Sequence, residues 1–347
     1  MNDLAGKSVL VTGGTGSFGR AFIRRVSSLP AGELPERIIV FSRDELKQHL
    51  LQEQFRDVSQ MRYRIGDVRD YQRLLEAMDG VDIVVHAAAL KHVPACELNP
   101  FEAKATNVDG TVNVVRAAIA RGVEKLVFLS TDKAVQPENF YGATKALAEK
   151  IVVGSNVMSG RTTRCSVVRY GNVFGSRGSV LPRFLRSAEE GKPLQITHPQ
   201  MTRFILMLDD AVSLVFSALY HMLGGEIFIP LLESVELANL AYMISPNCET
   251  VGIRPGEKMH EVLATELELA RSKRVVHDAA AVGMIAILPY HPWWDDKDTG
   301  YYDTLHAQCP PDLLWSYPRF MNSFTTNRIS SGVLRQWIEQ CKATKPW

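Results

Sequence analysis

The first half of the chain alternates short apolar runs with longer stretches in which apolar residues recur at helical spacing. Because the apolar runs are continuous rather than alternating, they are typical of parallel strands buried on both faces. They predict strands at Ser8–Thr12, Arg37–Phe41, Tyr63–Ile65, Ile83–His86, Leu126–Ser130 and Cys165–Arg169. The stretches between them predict helices near Phe18–Ser28, Glu45–Phe55, Tyr71–Met78, Pro100–Arg121 and Tyr141–Asn156. This order predicts an α/β fold with a doubly wound parallel sheet and ligands at the carboxyl ends of its strands.

The regular alternation ends after Gly171. Turn-rich segments with basic residues follow, and they predict a smaller C-terminal substrate-binding lobe. We therefore predict a dinucleotide-binding domain over residues 1–170, with late elements returning to it around 204–230. Residues 171–347 are predicted to form mainly the smaller lobe and a C-terminal extension. The segment 289–323, which contains His291-Pro292-Trp293-Trp294, is the hardest to place.

Composition narrows the class of protein only modestly. The 347 residues carry a net charge of +1, with no long runs of like charge, so nothing favours a nucleic-acid or membrane partner. The five cysteines are odd in number and form no CxxC pair, which indicates reduced thiols rather than a disulfide framework or a metal site. The longest apolar stretches are too short or too interrupted to span a bilayer. We expect a soluble, cytoplasmic protein with no bound metal.

A glycine-rich turn follows the first predicted strand and opens the first predicted helix. Glycine is needed in such a turn because the backbone angles exclude a Cβ and a pyrophosphate must approach the main chain closely. Free N–H groups and the helix dipole would then bind the phosphates. The context of the turn therefore predicts a nucleotide-binding site formed by Gly13, Thr15, Gly16, Ser17, Phe18 and Gly19.

The tip of the second strand bears on the choice of nicotinamide cofactor. Ser42, Arg43 and Lys47 could converge on a 2′-phosphate, since the guanidinium fork suits phosphate well. In the alternative, Asp44 takes the ribose hydroxyls and the cofactor is NAD. We favour NADP. Further cofactor contacts are predicted after the third and fourth strands, at Asp67, Val68, Ala87, Ala88 and Ala89.

Candidate catalytic residues lie at the end of the fifth strand and on the helix that follows. Thr131, Asp132 and Lys133 end the strand, and Tyr141 and Lys145 share one face of the helix because they are four residues apart. A nearby ammonium and a nicotinamide cation would lower the pKa of the tyrosine from about 10 toward neutrality. The tyrosine could then take a hydroxyl proton while hydride leaves for the cofactor.

These motifs resemble the extended short-chain dehydrogenase/reductases, whose domain is Rossmann-like, and in particular the inverting UDP-N-acetylglucosamine 4,6-dehydratases of polysaccharide and flagellin glycosylation. The resemblance rests on TGGTGSFG (12–19), SRDELKQ (42–48), HAAALKHVPACELNP (86–100), STDKAV (130–135), YGATK (141–145), VRYGNVFGSRGS (168–179), MTRF (201–204) and IRPGEKMHE (253–261). It implies an NADP-dependent hydro-lyase that acts on a UDP-amino sugar. The implied reaction oxidises carbon 4, eliminates water across carbons 5 and 6, and returns the hydride to carbon 6.

The resemblance also implies a role for each catalytic residue. Tyr141, assisted by Lys145, would serve the oxidation, and Thr131 would bond the 4-hydroxyl. Asp132 would be the acid at oxygen 6, and Lys133 would be the base at carbon 5, where many retaining relatives carry glutamate. Two expectations follow: burial should depress the pKa of Lys133, and the pKa of Asp132 should be raised.

Substrate contacts are carried over by motif position. The predicted set is Lys91, Thr131, Lys133, Asn172, Val173, Arg177, Val180, Arg203, Arg254 and Glu257, and Lys91 and Asn107 are also predicted to contact the cofactor together with Tyr141 and Lys145. Arginines suit a pyrophosphate, and Glu257 could take ribose hydroxyls. A homo-oligomer, either a dimer or a hexamer, is expected.

Two features depart from the family pattern. Leu231-Leu232 stands where a basic residue is usual, and the 275–323 segment is divergent and longer. These departures leave open which sugar is bound and whether carbon 5 is inverted. Two alternatives also stay open: a nucleotide-sugar 4-epimerase, and a protein that binds NADP without turnover.

Overall fold

The computed structural model describes residues 4–176, 178–275, 283–291, 294, 296–307, 321–323 and 326–344. Its strands are β1 (Ser8–Thr12), β2 (Arg37–Ser42), β3 (Met61–Ile65), β4 (Ile83–His86), β5 (Lys125–Thr131), β6 (Arg164–Tyr170), β7 (Asn172–Val173), β8 (Leu194–Ile196), β9 (Thr202–Leu206), β10 (Ile227–Pro230), β11 (Ser234–Glu236), β12 (Cys248–Thr250), β13 (Val262–Ala264), β14 (Ser272–Val275), β15 (Met284–Ile287) and β16 (Met321–Asn322).

The α-helices are α1 (Ser17–Ser27), α2 (Glu45–Gln54), α3 (Tyr71–Ala77), α4 (Val93–Leu98), α5 (Pro100–Lys104), α6 (Gly110–Ala120), α7 (Phe140–Met158), α8 (Val180–Glu189), α9 (Leu208–His221), α10 (Leu237–Ile244), α11 (Glu266–Leu269), α12 (Asp296–Ala307) and α13 (Ser331–Thr344). A π-helical turn at Ala105–Asp109 joins α5 to α6, and 3-10 turns lie at Ala31–Glu33 and Asp132–Ala134. None of the described helices is both long enough and apolar enough to cross a membrane.

Nine strands form one large sheet in the order β14-β15-β10-β6-β5-β4-β1-β2-β3. Neighbours from β10 to β3 are parallel, whereas β15 runs antiparallel to both β10 and β14. The chain starts in the middle of the sheet, so that Val11 lies opposite Val40 of β2 and Val85 of β4. The strand order reverses at this point, and the crevice there is where doubly wound sheets bind nucleotides. The predicted fold class is confirmed.

The core lies on both faces of this sheet. Val9 and Val11 of β1 pack with Phe22 of α1 on one face, while Leu10 packs on the other. All three β1 side chains are fully buried, and each contributes about 1.5–3 kcal/mol through burial of apolar surface. Burial on both faces explains why the strand sequences are continuously apolar.

The predicted helix over 100–121 is broken into α5, a π-helical turn and α6. The extra residue of a π-turn changes the direction of side chains, and here it aims Asn107 at a neighbouring loop. The Asn107 amide donates to the Leu90 carbonyl at 2.9 Å, and its oxygen accepts from the Leu90 N–H at 2.8 Å. Periodicity gives no signal for this break, because the sequence remains helical on both sides of it.

The later part of the chain contributes to two regions. Helix α9 packs against α1, and β10 pairs with β6, so residues near 208–230 lie on the main sheet. Strands β14 and β15, which the sequence did not predict, extend the same sheet at its edge. Separately, β7, β9 and β11 form a small sheet, and β8 pairs with β12.

A buried carboxylate anchors helix α12 to this end of the sheet. Glu226, which is fully buried, accepts hydrogen bonds from Ser166 Oγ at 2.6 Å and from the backbone N–H groups of Leu223 and Gly224. The hydroxyl of Tyr302 on α12 donates to Glu226 Oε1 and lies close to the His221 carbonyl oxygen, both at 2.8 Å. Nothing in the sequence indicates this contact, because the two residues are 76 positions apart.

We expect Tyr302→Phe to lower the free energy of unfolding by about 1–3 kcal/mol, because buried acceptors lose their donor. Urea denaturation measures this loss. Tyr242→Phe is the matched control, since its side chain is largely exposed and its free energy should change by less than about 0.5 kcal/mol. Equal stability of the two variants would mean that the Tyr302 hydroxyl does not anchor α12.

Candidate active site

The glycine turn brings the end of β1 close to the end of β4. Gly13 has φ +66°, and a Cβ there would lie 2.9 Å from the backbone of Ala88. Its N–H donates to the Phe41 carbonyl oxygen at 2.9 Å, which ties the turn to β2. Gly16 is the N-cap of α1, whose first turn contains no acidic residue. The turn is therefore a backbone cradle at a helix N-terminus, which suits a pyrophosphate.

A buried hydrogen-bond network supports this cradle from below. Thr12 Oγ1 accepts from the N–H groups of Ala87 and Ala88, each at 3.2 Å, and contacts His86 Nδ1 at 2.7 Å. Complete burial lowers the pKa of His86 to about 3, so its ring is neutral. Thr12 and His86 were not predicted as site residues, and their place at the two strand ends is the only sequence signal for them.

The tip of β2 carries the predicted cofactor-selecting residues. Asp44 caps α2 by accepting from the Lys47 N–H at 2.9 Å, and its carboxylate also pairs with the Lys47 ammonium. Ser42 Oγ accepts from Gln48. Arg43 remains about half exposed, with its guanidinium 3.5 Å from Asp67 Oδ2. The Asp44 carboxylate is thus occupied by its own helix, whereas Arg43 lies at the strand tip.

Asp67 and Val68 follow β3 on the same edge of the sheet. Partial burial alone would raise the pKa of Asp67, but hydrogen bonds from Arg69 and the charge of Arg43 hold it below its ordinary value. Val68 is buried against Gly110, where a Cβ would approach the valine methyl closely. The predicted cofactor residues at the ends of β1 to β4 therefore lie along one edge of the sheet.

Tyr141 and Lys145 lie in the first two turns of α7, and both are buried. The Lys145 ammonium donates to the Leu129 carbonyl oxygen at 2.6 Å and lies 3.8 Å from the centre of the Phe128 ring. Burial lowers the pKa of Lys145 to about 7. The expected lowering of the Tyr141 pKa is wrong for this structure: burial raises it well above the ordinary value, and a hydrogen bond with Thr131 offsets only part of that rise.

Asp132 and Lys133 form a buried ion cluster with Glu261. Lys133 Nζ lies 3.1 Å from Asp132 Oδ1 and 3.1 Å from Glu261 Oε1. Burial raises the pKa of Asp132 against the opposing charge of Lys133, as predicted. The expected depression of the Lys133 pKa is wrong. Burial alone would lower this pKa, but the charges of Asp132 and Glu261 together raise it above its ordinary value.

Gly142 allows α7 to approach the loop that carries this cluster. A Cβ on Gly142 would overlap the carbonyl oxygen of Lys133, so only glycine fits there. The helix begins at this position because Asn139 caps it, accepting from the Gly142 N–H at 2.8 Å. Thr131 lies between the two elements: its hydroxyl donates to Asp132 Oδ1 at 3.0 Å, and it acts to lower the pKa of the Tyr141 phenol against the effect of burial.

Several predicted substrate residues line one small cavity beyond β6. Asn172, Val173 and Val180 lie on its wall together with Arg203. Asn172 Oδ1 is buried and has no hydrogen-bond partner among the described residues. Arg203 is buried as well, and its guanidinium donates to the Thr202 carbonyl at 2.8 Å and lies 3.7 Å from Glu261 Oε1. Arg177 lies outside the described residues.

Arg254 and Glu257 lie next to one another with 3.7 Å between their charged groups. One Glu257 oxygen, Oε2, is buried without a hydrogen-bond partner in the described part of the chain. Arg183 on α8 was not predicted, yet burial and the nearby Arg254 charge lower its pKa. Guanidinium groups that lower one another's pKa across the fold are typical of an anion site, and the sequence does not reveal this pair.

Two further predicted residues have different surroundings. Lys91 is exposed in the loop after β4. Asn107 is buried, and its amide also donates to Thr144 Oγ1 at 3.0 Å, so it connects the π-turn to α7. Direct contact of either residue with a cofactor stays a prediction.

Comparison with known proteins agrees with this geometry. A family model described as polysaccharide biosynthesis protein matches residues 9–282. The chain belongs to this family. Among the relatives, a UDP-N-acetylglucosamine 4,6-dehydratase (inverting) of Campylobacter jejuni is 50% identical over 262 residues, which cover 74% of this chain and 77% of the relative. A UDP-glucose 4-epimerase of Rickettsia canadensis is 44% identical over 77% of this chain and 80% of its own length.

Solved structures show a similar fold over most of the chain. The structure of Pen from Bacillus thuringiensis has a TM-score of 0.83 and 36% identity, covering 97% of this chain and 98% of that one. A dTDP-glucose 4,6-dehydratase, DesIV from Streptomyces venezuelae, has a TM-score of 0.65 at 23% identity, covering 73% and 86% of the two chains, and shows the fold alone. The resemblance to the extended short-chain dehydrogenase/reductases is confirmed.

We expect Gly142→Ala to lower the free energy of unfolding by about 1–3 kcal/mol, because the added methyl must displace either α7 or Lys133. Gly154→Ala, on the same helix, is the matched control: its Cβ would meet open space, and it should stabilise by about 0.5–1 kcal/mol. Urea unfolding of both variants gives the comparison. Stabilisation by both would show that the helix approach at Gly142 is looser than described.

Proposed function

We propose that this protein is an NADP-dependent nucleotide-sugar 4,6-dehydratase that acts on UDP-N-acetylglucosamine and inverts carbon 5. The observation that carries the proposal is the meeting of Asp132, Lys133 and Tyr141 at the end of β5. The oxidation step by itself needs only a group that accepts the hydroxyl proton, such as Tyr141. Elimination of water needs in addition an acid and a base, and Asp132 and Lys133 can supply them.

The cradle at the glycine turn fits a nicotinamide dinucleotide. A Cβ on Gly13 would meet the Ala88 backbone, so only glycine lets the turn pack against the end of β4 at the N-terminus of α1, where a pyrophosphate could approach the main chain closely. Asp67 and Arg43 would meet the adenosine end of the molecule. When bound, the dinucleotide supplies a reversible two-electron oxidant beside the sugar.

Tyr141 handles the proton of the 4-hydroxyl in this proposal. Its raised pKa makes it a neutral phenol at rest, so it must release its proton before it can accept one. The Thr131 hydroxyl donates to Asp132 Oδ1 at 3.0 Å, so a proton passed from Tyr141 through Thr131 to an ionised Asp132 would leave Asp132 as the acid that the elimination needs. Lys145, whose pKa is about 7, lies on the same face of α7 and would stabilise the phenolate when it is charged.

Asp132 and Lys133 perform the elimination. Burial favours the protonated form of Asp132, which is the form that can donate to the departing oxygen 6. Lys133, once neutral, would take the proton from carbon 5. Its side chain is 21% exposed, so the amine borders the space where a sugar could lie.

The region beyond β6 would hold the nucleotide part of the substrate. Arg183 and Arg254 would bind the pyrophosphate, and the unpartnered Asn172 Oδ1 would accept from a substrate hydroxyl or amide. The exposed apolar side chains of Leu98, Phe101 and Leu147 lie on helices that contact one another, which supports a homo-oligomer. We place the protein in the cytoplasm, where nucleotide sugars are made.

A nucleotide-sugar 4-epimerase is the second candidate, because relatives of 44% identity bear that name. An epimerase uses the oxidation step but needs no acid at oxygen 6 and no base at carbon 5. The buried Asp132–Lys133 pair therefore favours the dehydratase.

The decisive experiment incubates the enzyme with UDP-N-acetylglucosamine and NADP in heavy water. We expect mass spectrometry to show loss of one water from the sugar, and proton NMR to show deuterium at carbon 5. Tyr141→Phe should abolish turnover and still bind UDP. A product with the mass of the substrate would identify an epimerase, and a lack of turnover across a panel of nucleotide sugars would favour a binding protein.

Cofactor choice gives a separate prediction. Arg43→Asp should remove the preference for NADPH over NADH, because the new carboxylate repels the 2′-phosphate that only NADPH carries. Dissociation constants from nicotinamide fluorescence measure the ratio. Arg56→Asp, an exposed change of the same kind, should leave the ratio unaltered. If Arg43→Asp also leaves it unaltered, Arg43 does not contact the 2′-phosphate.

A further inference from the structure

Lys133 is held between two carboxylates from distant parts of the chain. Asp132 is its neighbour in sequence, whereas Glu261 lies directly before β13 and was assigned no role from the sequence. Both Nζ–oxygen distances are 3.1 Å. Glu261 is only 2% exposed, and its second oxygen has no hydrogen-bond partner within the described part of the chain.

The backbone of Glu261 is fixed on both sides. Its N–H donates to Ser323 Oγ at 2.8 Å, and its carbonyl accepts from the Ser323 N–H at 2.8 Å. Ser323 Oγ also contacts Thr202 Oγ1 at 2.7 Å, beside Arg203. Two further anchors hold the preceding residues: the Met259 carbonyl accepts from the Thr202 N–H, and Lys258 donates to the Val135 carbonyl. The position of the Glu261 carboxylate is thus built into the fold.

The charges around the cluster shift the pKa values of the two carboxylates in opposite directions. Lys133, Arg203 and Lys258 face Glu261, and although burial alone would raise its pKa, these cations hold it below its ordinary value. Burial and the negative charge of Glu261 raise the pKa of Asp132, although the positive charge of Lys133 acts to lower it. Glu261 is therefore the carboxylate that keeps its negative charge beside Lys133.

We propose that Glu261 is a positioning residue, which fixes Lys133 Nζ in the site and keeps it as an ammonium, and thereby sets the pH at which Lys133 can accept a proton. The effect of the Glu261 charge on Lys133 follows from the geometry alone. Its consequence for catalysis rests on the proposed function.

In the proposed reaction Lys133 gives up one proton and later regains one. Lys133 releases one ammonium proton to solvent and becomes a neutral amine. The amine then takes the proton from carbon 5 as the bond from carbon 6 to its oxygen breaks, and it is an ammonium again. Asp132 gives its proton to the departing oxygen. Because Glu261 favours the ammonium, it opposes the first of these events.

Glu261→Gln removes the charge with little change of shape. We expect the rise of the carbon 5 exchange rate with pH to move to lower pH by about one unit or more, since an adjacent opposite charge shifts a pKa by about 1–3 units. The KM for UDP-N-acetylglucosamine should change less than about twofold. Glu261→Asp, which keeps the charge at a longer distance, should give an intermediate profile. Glu266→Gln, an exposed change nearby, should give the wild-type profile.

A second measurement does not depend on turnover. Acetic anhydride acetylates only the neutral amine, so the pH dependence of Lys133 acetylation, followed by peptide mass spectrometry, reports its protonation directly. Lys133→Met provides the blank. We expect half-maximal acetylation at lower pH in Glu261→Gln, and at an intermediate pH in Glu261→Asp, which also serves if Glu261→Gln does not fold.

An unchanged acetylation profile in the Glu261 variants would overturn the proposal. So would loss of carbon 5 exchange at every pH in a folded Glu261→Gln that still oxidises the sugar, since Glu261 would then act in the chemistry itself. If the wild-type enzyme dehydrates no sugar, the proposed function fails, but the acetylation measurement still decides the role of Glu261.

Discussion

The close approach of α7 to the loop after β5 is the constraint on which the active site depends. It exists because Gly142 has no side chain, which lets the helix lie directly over the Lys133 carbonyl oxygen. The approach places Tyr141 within hydrogen-bonding reach of Thr131, and through Thr131 it places Asp132 in the same network. A helix displaced by the width of a methyl group would separate the phenol from Thr131 and Asp132.

Much of the fold could be predicted because its strands are buried on both faces. That burial imposes uninterrupted apolar runs, and each run from Ser8–Thr12 to Cys165–Arg169 corresponds to a strand of the large sheet. Short-range chemistry was equally visible: the glycine turn and the Tyr141/Lys145 pair depend on spacing within a few residues. The π-turn at Ala105–Asp109 was not visible, because it depends on the loop that Asn107 contacts.

Electrostatics marks the limit of sequence reasoning at the site. The sequence predicted that burial would depress the Lys133 pKa, and burial does act in that direction. The sign reverses because Glu261, 128 positions away in the chain, lies as close to Nζ as the adjacent Asp132 does. The same limitation applies to Arg183, because only the folded chain reveals that the charge of Arg254 lowers its pKa. A motif identifies which groups are present, but the balance of charge depends on all groups that meet in space.

The Ser323–Glu261 hydrogen bonds have a consequence for how the protein is made. The ion cluster needs Lys133 from the first half of the chain, and its glutamate is held by a serine roughly two hundred residues later. A bacterial or eukaryotic ribosome adds about 5–20 residues per second, so about 10–40 s separate the synthesis of the two. During that interval the parallel strands around β1 can already pair, while Lys133 lacks its fixed partner. The nascent chain can therefore form the glycine turn well before the cluster of Asp132, Lys133 and Glu261 is complete.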